Sequence, residues 1–264
     1  MFENSANWCI QESFFNGQKE NYPQGIPRGL AMRAVLKLGG SLLYDKDGSV
    51  IVDRVKDYAN IIKSLVKEGH SIIVVVGGGK PARTFIDAAR SLGATEAQCD
   101  WLGIKLARDN AELLCAALGS IAYPTIVETL DELEVAVNLN KVVLMGGLIP
   151  AQSTNAVAAV AAETVRAEIL FNATNVDGVY DRDPKKTGAV KLESVTIDKL
   201  RKILEAGGTK AGEYKLFDPV AIRVVERSKI PTIIFDGTDA SNFSRAFRGE
   251  KIGTRVVYDN AKQR

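Results

Sequence analysis

The sequence is poor in the residues on which many catalytic and metal sites depend. Its 264 residues include one histidine, His70, and three cysteines, Cys9, Cys99 and Cys115, which stand far apart. A zinc site, a Ser-His-Asp triad and a Cys-His dyad each need histidines or closely spaced cysteines. The composition therefore argues against all three kinds of site, and the scattered thiols fit a reducing compartment.

Clustered charge and long apolar runs are lacking as well. The 34 Lys and Arg residues nearly balance the 32 Asp and Glu residues, and the basic residues are spread along the chain. Such a distribution is not the footprint of a nucleic-acid-binding protein, and no apolar run is long enough to cross a bilayer. We expect a cytoplasmic protein with neither nucleic acid nor membrane as a partner.

The first part of the chain lacks a hydrophobic period. Residues 1–31 are rich in Asn, Gln, Gly and Pro, and they contain no continuous apolar stretch of the kind a signal peptide needs. We expect a disordered N-terminal extension, with residues 32–264 forming a single domain. The alternative is an arm that docks on a neighbouring subunit through Trp8, Phe14 and Phe15.

From residue 34 onward, short apolar runs alternate with stretches of helical periodicity. The predicted strands cover 34–38, 71–76, 121–127, 141–145, 168–172, 232–235 and 255–258. The predicted helices cover 53–68, 80–92, 103–118, 130–137, 154–166, 198–205, 218–227 and 240–248. This alternation predicts an α/β fold, an αβα sandwich around a largely parallel central sheet. Functional loops are then expected at the carboxyl ends of the strands.

Two of the predicted strands end abruptly in glycines, at Lys37-Leu-Gly-Gly-Ser41 and Gly77-Gly-Gly-Lys80. A backbone without Cβ atoms can approach a ligand closely and point its N–H groups at phosphate oxygens. Two such loops indicate a site that holds two phosphorylated species at once, as phosphoryl transfer requires. Neither loop has the G-x-G-x-x-G or the Walker A pattern, which weakens the Rossmann and P-loop interpretations.

A lysine inside the first of these strands is unusual. Burying the charge of Lys37 is costly unless an anion compensates it, although an edge lysine could keep its head in water. The adjacent glycines favour an ammonium aimed at the transferring phosphoryl group. Arg83 follows about one turn into the predicted helix after the second loop, where its planar guanidinium suits a phosphate.

Three further segments carry polar groups. The loop of residues 145–154 contains another glycine pair, and its Ser153 or Thr154 could simply cap a helix. The segment 173–184 is rich in Asn, Asp and Gly, which suits a turn, a nucleotide-binding loop or water around a magnesium ion. Asp218 precedes a proline, as at a helix start, and could also serve as an active-site carboxylate.

Together these motifs resemble those of the amino-acid kinase superfamily, over residues of about 34 to 258, and within it those of the archaeal uridylate (UMP) kinases. The motifs that carry the resemblance are Lys37-Leu-Gly-Gly-Ser41, Gly77-Gly-Gly-Lys80, Cys99-Asp-Trp-Leu-Gly103, Thr174-Asn-Val-Asp-Gly-Val-Tyr180, Asp183-Pro184, Ala211-Gly212 and Asp218-Pro219. The resemblance implies the amino-acid kinase fold and transfer of the ATP γ-phosphoryl group to UMP, giving UDP. It further implies Mg²⁺ arriving with ATP, an acceptor site in the N-terminal part and an ATP site in the C-terminal part. A homohexamer is also implied, with residues 103–118 as an interface helix.

The resemblance also implies roles for individual residues. Lys37 and Asp218 would be catalytic, the lysine neutralising phosphate charge and the aspartate organising nearby lysines, of which Lys210 and Lys215 are candidates. The implied ATP-binding residues are Gly40, Ser41, Gly79, Arg83, Thr174, Asn175, Tyr180 and Asp183. The implied UMP-binding residues are Gly78, Asp100, Leu148, Ile149, Pro150, Ala151, Gln152, Ser153 and Thr154. No residue is assigned as a metal ligand.

The chain departs from the superfamily pattern in one loop. Many relatives have His-Thr-Thr-Asp where this chain has Gln152-Ser-Thr-Asn155, and a Gln-Ser-Thr variant is found among the archaeal UMP kinases. One alternative is a sister kinase acting on carbamate, an amino acid or isopentenyl phosphate. Isopentenyl phosphate kinases are expected to use a histidine that His70 is poorly placed to supply, and amino-acid acceptors leave Asp100 unexplained. The other alternative is a nucleotide-binding or storage protein without transfer activity, against which Lys37 and Asp218 argue.

Overall fold

A computed structural model describes residues 31–182, 187–206 and 217–258. The strands within these ranges are β1 (Arg33–Leu38), β2 (Ser71–Val76), β3 (Val143–Met145), β4 (Ile169–Thr174), β5 (Val179–Tyr180), β6 (Lys191–Leu192), β7 (Ser194–Thr196), β8 (Thr232–Asp236) and β9 (Thr254–Val257). The α-helices there are α1 (Val52–Lys67), α2 (Gly79–Ser91), α3 (Glu96–Leu118), α4 (Leu130–Ala136), α5 (Thr154–Thr164), α6 (Ile197–Ala206), α7 (Pro219–Ser228) and α8 (Ser241–Phe247).

Seven of these strands form one sheet in the order β3-β2-β1-β4-β8-β9-β7. The five strands from β3 to β8 run parallel to one another, β9 is antiparallel to β8, and β7 is parallel to β9. β5 and β6 pair separately as a short antiparallel ladder. The predicted α/β sandwich with a largely parallel sheet is confirmed.

The sheet is buried on both faces, as its continuous Val and Ile runs predict. On one face, side chains such as Leu36 and Phe171 pack with α1, α3 and α8, and the rings of Phe171 and Phe243 lie 5.2 Å apart. On the other face, side chains such as Val35 pack against α4, α5, α6 and α7. Successive residues of a strand point to opposite faces, so each strand supplies both cores.

Two predicted elements differ from the structure. The segment 121–127 is not a strand, because Pro124 has no N–H and the chain makes only isolated bridges from Ala122 and Val127 to the β3 edge. The helix predicted to begin at Gly103 begins instead at Glu96. Its first turn is stabilised by a capping box between Thr95 and Gln98, which offsets the low helix propensity of Gly103 inside the helix.

Several predictions concern residues that the structure leaves undescribed: residues 1–30 of the predicted extension 1–31, Asp183, Lys210 and Lys215 lie outside the described ranges. Among the described helices, none has the length and apolar character needed to cross a membrane.

Candidate active site

The two glycine loops touch each other at the carboxyl ends of β1 and β2. A Cβ atom on Gly40 would lie 2.1 Å from the carbonyl oxygen of Gly77 and 2.4 Å from the amide nitrogen of Gly79. Gly79 itself has φ of +69°, a left-handed conformation that glycine adopts without strain. The loops therefore meet backbone to backbone, and no other residue type fits at Gly40 without moving them apart.

Lys37 is buried beside these loops. It is only 7% exposed, and it stands in register with Val75 of β2 and Asn172 of β4. Like Val35 two residues earlier, it points toward the layer that contains α5 and α7. No described residue forms a hydrogen bond or an ion pair with its ammonium group. Burial lowers the pKa of Lys37 to about 8, so the side chain remains predominantly protonated at neutral pH.

The helices α5 and α7 begin at the same edge of the sheet, and their N-caps contact each other. Ser153 Oγ accepts a hydrogen bond from the Ala156 amide at 3.1 Å. Asp218 Oδ1 accepts bonds from the amides of Val220 at 2.9 Å and Ala221 at 3.1 Å. The Ser153 hydroxyl also donates to Asp218 Oδ2. Both N-termini carry partial positive charge, which favours an anion in front of them.

A cleft of about 120 Å³ opens next to this point, between α2, α3 and the loop of residues 148–154. Its lining consists of Ile86, Asp100, Gly103, Ile104, Ala107, Gly147, Ile149, Gln152 and Thr154. Asp100 Oδ2 accepts a hydrogen bond from the Ala151 amide at 2.8 Å, and Ala151 has φ of +61°. Gln152 Oε1 is buried without a hydrogen-bond partner among the described residues. The structure thus brings Asp100 and the predicted acceptor loop together around one cavity.

Two glycines, one lining this cleft and one in the preceding loop, pack closely against neighbouring side chains. A Cβ atom on Gly78 would lie 2.5 Å from the Ala82 side chain, and one on Gly147 would lie 2.7 Å from Ile104 Cγ1. Arg108 Nε donates to the Gly147 carbonyl oxygen at 3.1 Å, which fixes the turn that leads into the acceptor loop. The same guanidinium pairs with a Glu128 carboxylate oxygen at 2.6 Å.

The predicted ATP-binding residues that begin at the last residue of β4 lie at the same edge of the sheet. Thr174 is fully buried, and its Oγ1 has no hydrogen-bond partner among the described residues. Tyr180, in β5, donates its hydroxyl to Asp177 Oδ1 at 3.0 Å, and this bond raises the pKa of the tyrosine. Thr254 holds the β5–β6 ladder by accepting from the Val179 amide at 2.8 Å. Asn175 is exposed at the start of this segment.

Other predicted residues are less closely engaged. Arg83 is exposed on α2, and within the described ranges no hydrogen bond or ion pair directs it back toward the glycine loop. Of the acceptor loop, Leu148 is buried while Ile149 is 58% exposed at the cleft rim. Ser41 is half-buried in the 3₁₀ turn Gly40–Leu43.

One functional candidate escaped the sequence prediction. Asn110, in the middle of α3, is 2% exposed, and its Nδ2 donates to the Gly77 carbonyl oxygen at 2.7 Å. Its Oδ1 accepts from the Tyr44 hydroxyl. Asn110 lies three residues after Ala107 and four before Leu114, on the buried stripe of the helix. A buried polar residue needs a hydrogen-bond partner, so the position of Asn110 on the apolar stripe of a helix was the sequence signal that could have identified it.

The motifs, their order and their positions at one sheet edge correspond to a known class of phosphotransferases. The chain belongs to the Amino acid kinase family, whose family model matches residues 32–236. Within that family it is similar to archaeal uridylate kinases. It is 43% identical over 230 residues to the uridylate kinase of Methanobrevibacter smithii and 44% identical over 228 residues to that of Methanothermobacter thermautotrophicus. Each match covers 86% of this chain and 99% of the relative.

A solved structure agrees with these relatives. The crystal structure of uridylate kinase from Archaeoglobus fulgidus matches with a TM-score of 0.76 and 40% sequence identity, covering 86% of this chain and all of that one. The amino-acid kinase fold and the resemblance to archaeal uridylate kinases are confirmed.

Proposed function

We propose that this protein transfers the γ-phosphoryl group of ATP to the phosphate of UMP, giving ADP and UDP. The observation that carries the proposal is the ammonium of Lys37, which is buried beside two glycine loops that touch each other and has no partner among the described residues. A buried charge is costly without a counter-ion, and two loops of exposed amides can receive two phosphate groups. The similarity to uridylate kinases supports UMP as the acceptor.

The reaction needs little acid or base chemistry from the protein. An oxygen of the UMP phosphate attacks the γ-phosphorus in line while the bond from that phosphorus to the β–γ bridging oxygen breaks. The acceptor is already an anion, so no general base is required. Catalysis then depends on positioning and on neutralising charge on the phosphoryl oxygens. We assign this work to Lys37, the amides of both glycine loops and the N-termini of α5 and α7.

The two substrates occupy different parts of the chain in this proposal. UMP lies in the cleft between α3 and the loop 148–154, whose lining includes Asp100, Gln152 and Thr154, and we place Gly78 and Ser153 next to it. ATP lies across the ends of β1 and β4, near Gly40, Ser41, Gly79, Arg83, Thr174, Asn175 and Tyr180, with Asp183 beyond the described residues. Asp218 connects the proposed UMP and ATP sites through its contact with Ser153.

Mg²⁺ accompanies ATP in this proposal. The described residues contain no cluster of three or more His, Cys, Asp or Glu side chains arranged to hold a metal ion. We infer that the magnesium ion would be held largely by phosphate oxygens and water, as is usual at nucleotide sites. When bound, the ion would supply further charge neutralisation on the phosphates.

We also propose a cytoplasmic homo-oligomer, a homohexamer, with the Gly103–Leu118 part of α3 at an interface. Trp101 and Leu113 on α3 and Phe85 on the neighbouring α2 are large apolar side chains left exposed in the single chain. Light scattering is expected to give six times the chain mass of 28.5 kDa. A monomer would contradict this part of the proposal.

A coupled assay of ADP release tests the function. Mg-ATP is supplied with UMP, CMP, dUMP, AMP, isopentenyl phosphate, carbamate or glutamate in separate reactions. We expect turnover with UMP to exceed that with every other acceptor. Preference for a different acceptor would overturn the substrate assignment, and ATP binding without turnover would favour a non-catalytic nucleotide-binding protein.

A further inference from the structure

The middle of α3 joins the two glycine loops through one buried side chain. Asn110 donates to the Gly77 carbonyl oxygen in the second loop and accepts from Tyr44. Tyr44 is the residue that ends the 3₁₀ turn Gly40–Leu43, which itself begins in the first loop. A single carboxamide thus contacts the backbone of one loop and a side chain anchored to the other.

The geometry points to Asn110 as a positioning residue that fixes the separation of the donor and acceptor phosphates, an inference that rests on the proposed function. The closest contacts between the loops involve backbone atoms of Gly40, Gly77 and Gly79, and the Gly77 amide also donates to the Leu38 carbonyl oxygen at 2.9 Å. Glycine backbone is conformationally permissive, so these backbone contacts constrain the two loops less than a directional side-chain bond to each of them does. The Asn110 carboxamide supplies a directional constraint, because each of its two ends is engaged by a different loop.

The chemistry of the carboxamide suits this role. Its Nδ2 donor meets a carbonyl oxygen, and its Oδ1 acceptor meets a hydroxyl donor, so the side chain is held in one orientation. Burial at 2% exposure removes water as a competing partner, which makes a lost bond costly. The same helix carries Asp100 and Arg108, which hold the acceptor loop, so α3 aligns that loop as well.

Substitution of Asn110 should therefore affect kcat more than KM. The variant Asn110→Leu keeps the approximate volume and removes both hydrogen bonds. A misplacement of reacting groups by about 1 Å can lower a rate on the order of 100-fold, and we expect a loss of kcat of this size with little change in KM for ATP or UMP. Tyr44→Phe removes only the bond to Asn110 and should produce a smaller loss of kcat. The double variant should be no slower than Asn110→Leu alone.

Two control variants separate positioning from stability. Leu114→Ala creates a cavity one turn further along α3 and should lower the Tm without lowering kcat at temperatures where the variant is folded. Asn138→Leu removes a bond of the same type, from Nδ2 to the Glu134 carbonyl oxygen at 2.7 Å, at an exposed position outside the site. It should leave kcat unchanged.

Steady-state kinetics and thermal unfolding of these variants decide the inference. A wild-type kcat in Asn110→Leu would overturn the inference. An equal loss of kcat in Leu114→Ala, at an equal decrease in Tm, would overturn it as well. If Asn110→Leu does not fold, Tyr44→Phe carries the test, and wild-type kcat in that variant overturns the inference. Failure of the proposed function is distinct, because it shows in the wild type as preference for another acceptor. The variants are then assayed with that acceptor, because Asn110 is inferred to fix the separation of the phosphates and not to recognise the base.

Discussion

At the residue scale, the candidate site contains a buried charge that no described residue neutralises. Lys37 is buried in the sheet, and its pKa falls to about 8 because desolvation disfavours the ammonium. A bound phosphate would supply the missing counter-charge. The fold therefore carries a cost at this position that substrate binding relieves, which is common at functional sites.

Replacing Lys37 with Ala tests its catalytic role. The loss of an ammonium that stabilises developing phosphate charge should lower kcat by about 100- to 1000-fold and change the KM for UMP much less. Steady-state kinetics at saturating Mg-ATP measure both values. Lys37→Arg, which keeps the charge on a different geometry, should retain more activity than Lys37→Ala. Unchanged turnover in the alanine variant would remove Lys37 from the mechanism.

Lys37, which is expected to increase kcat, should decrease the stability of the protein in the absence of substrate. The lysine pKa falls from 10.5 to about 8 on folding, a destabilisation of about 3 kcal/mol at neutral pH. Between these pKa values the unfolded chain binds the additional proton, so the Lys37 contribution to the free energy of unfolding rises with pH. Lys37→Met should therefore be more stable than wild type at neutral pH, and this advantage should shrink above a pH of about 8.

Urea unfolding of wild type and Lys37→Met across this pH range measures the difference. Other titrating groups cancel in the comparison because both proteins contain them. A constant difference between the two proteins at all pH values would contradict the assigned pKa.

Asp100 should affect acceptor binding more than chemistry. Its carboxylate holds the Ala151 amide, and with it the loop that closes the cleft. Asp100→Ala should raise the KM for UMP on the order of 10-fold or more, since it removes a charge-assisted hydrogen bond, and leave the KM for ATP nearly unchanged. Asp57→Ala, at an exposed position on α1, is the matched control. An equal rise in the KM for UMP and the KM for ATP would show that Asp100 does not act specifically in the UMP site.

At the element scale, the two glycine turns of the candidate site pack backbone to backbone. A Cβ atom on Gly40 would meet the backbone of Gly77 and Gly79, which cannot move aside as a flexible side chain could. Gly40→Ala should therefore reduce kcat severely and also lower the Tm. Gly93→Ala is the control, because Gly93 has φ of +88° but nothing within 4 Å of its Cβ position. That variant should lose about 1 kcal/mol of stability and keep its kcat. Wild-type kcat in Gly40→Ala would contradict the close packing of the loops.

Most helices and central strands were predictable because their apolar periods are strong and caps such as Asp218-Pro219 mark their starts. The errors have local causes. Pro124 breaks a segment that otherwise has strand composition, and Gly103 obscures a helix that a capping box begins at Thr95. The two-residue strands β5 and β6 are too short to produce any period, and the Thr254 hydroxyl of β9 forms hydrogen bonds with both of them in the folded chain.

At the scale of the whole molecule, the parallel sheet creates the site. The strands β1, β2, β3, β4 and β8 all end at one edge, so motifs separated by nearly two hundred residues in sequence meet there. The sequence indicated which loops meet, since each motif follows a predicted strand. It did not indicate which side chains support them: the contacts of Asn110 with Gly77, of Arg108 with Gly147 and of Ser153 with Asp218 could be found only from the folded chain.

The most direct test of the central claim is chromatographic detection of UDP formed by the wild-type protein from Mg-ATP and UMP, with Lys37→Ala assayed in parallel. We predict stoichiometric formation of UDP and ADP by the wild type and a strongly reduced rate in the variant. Absence of UDP formation, or equal rates in the two proteins, would contradict the account.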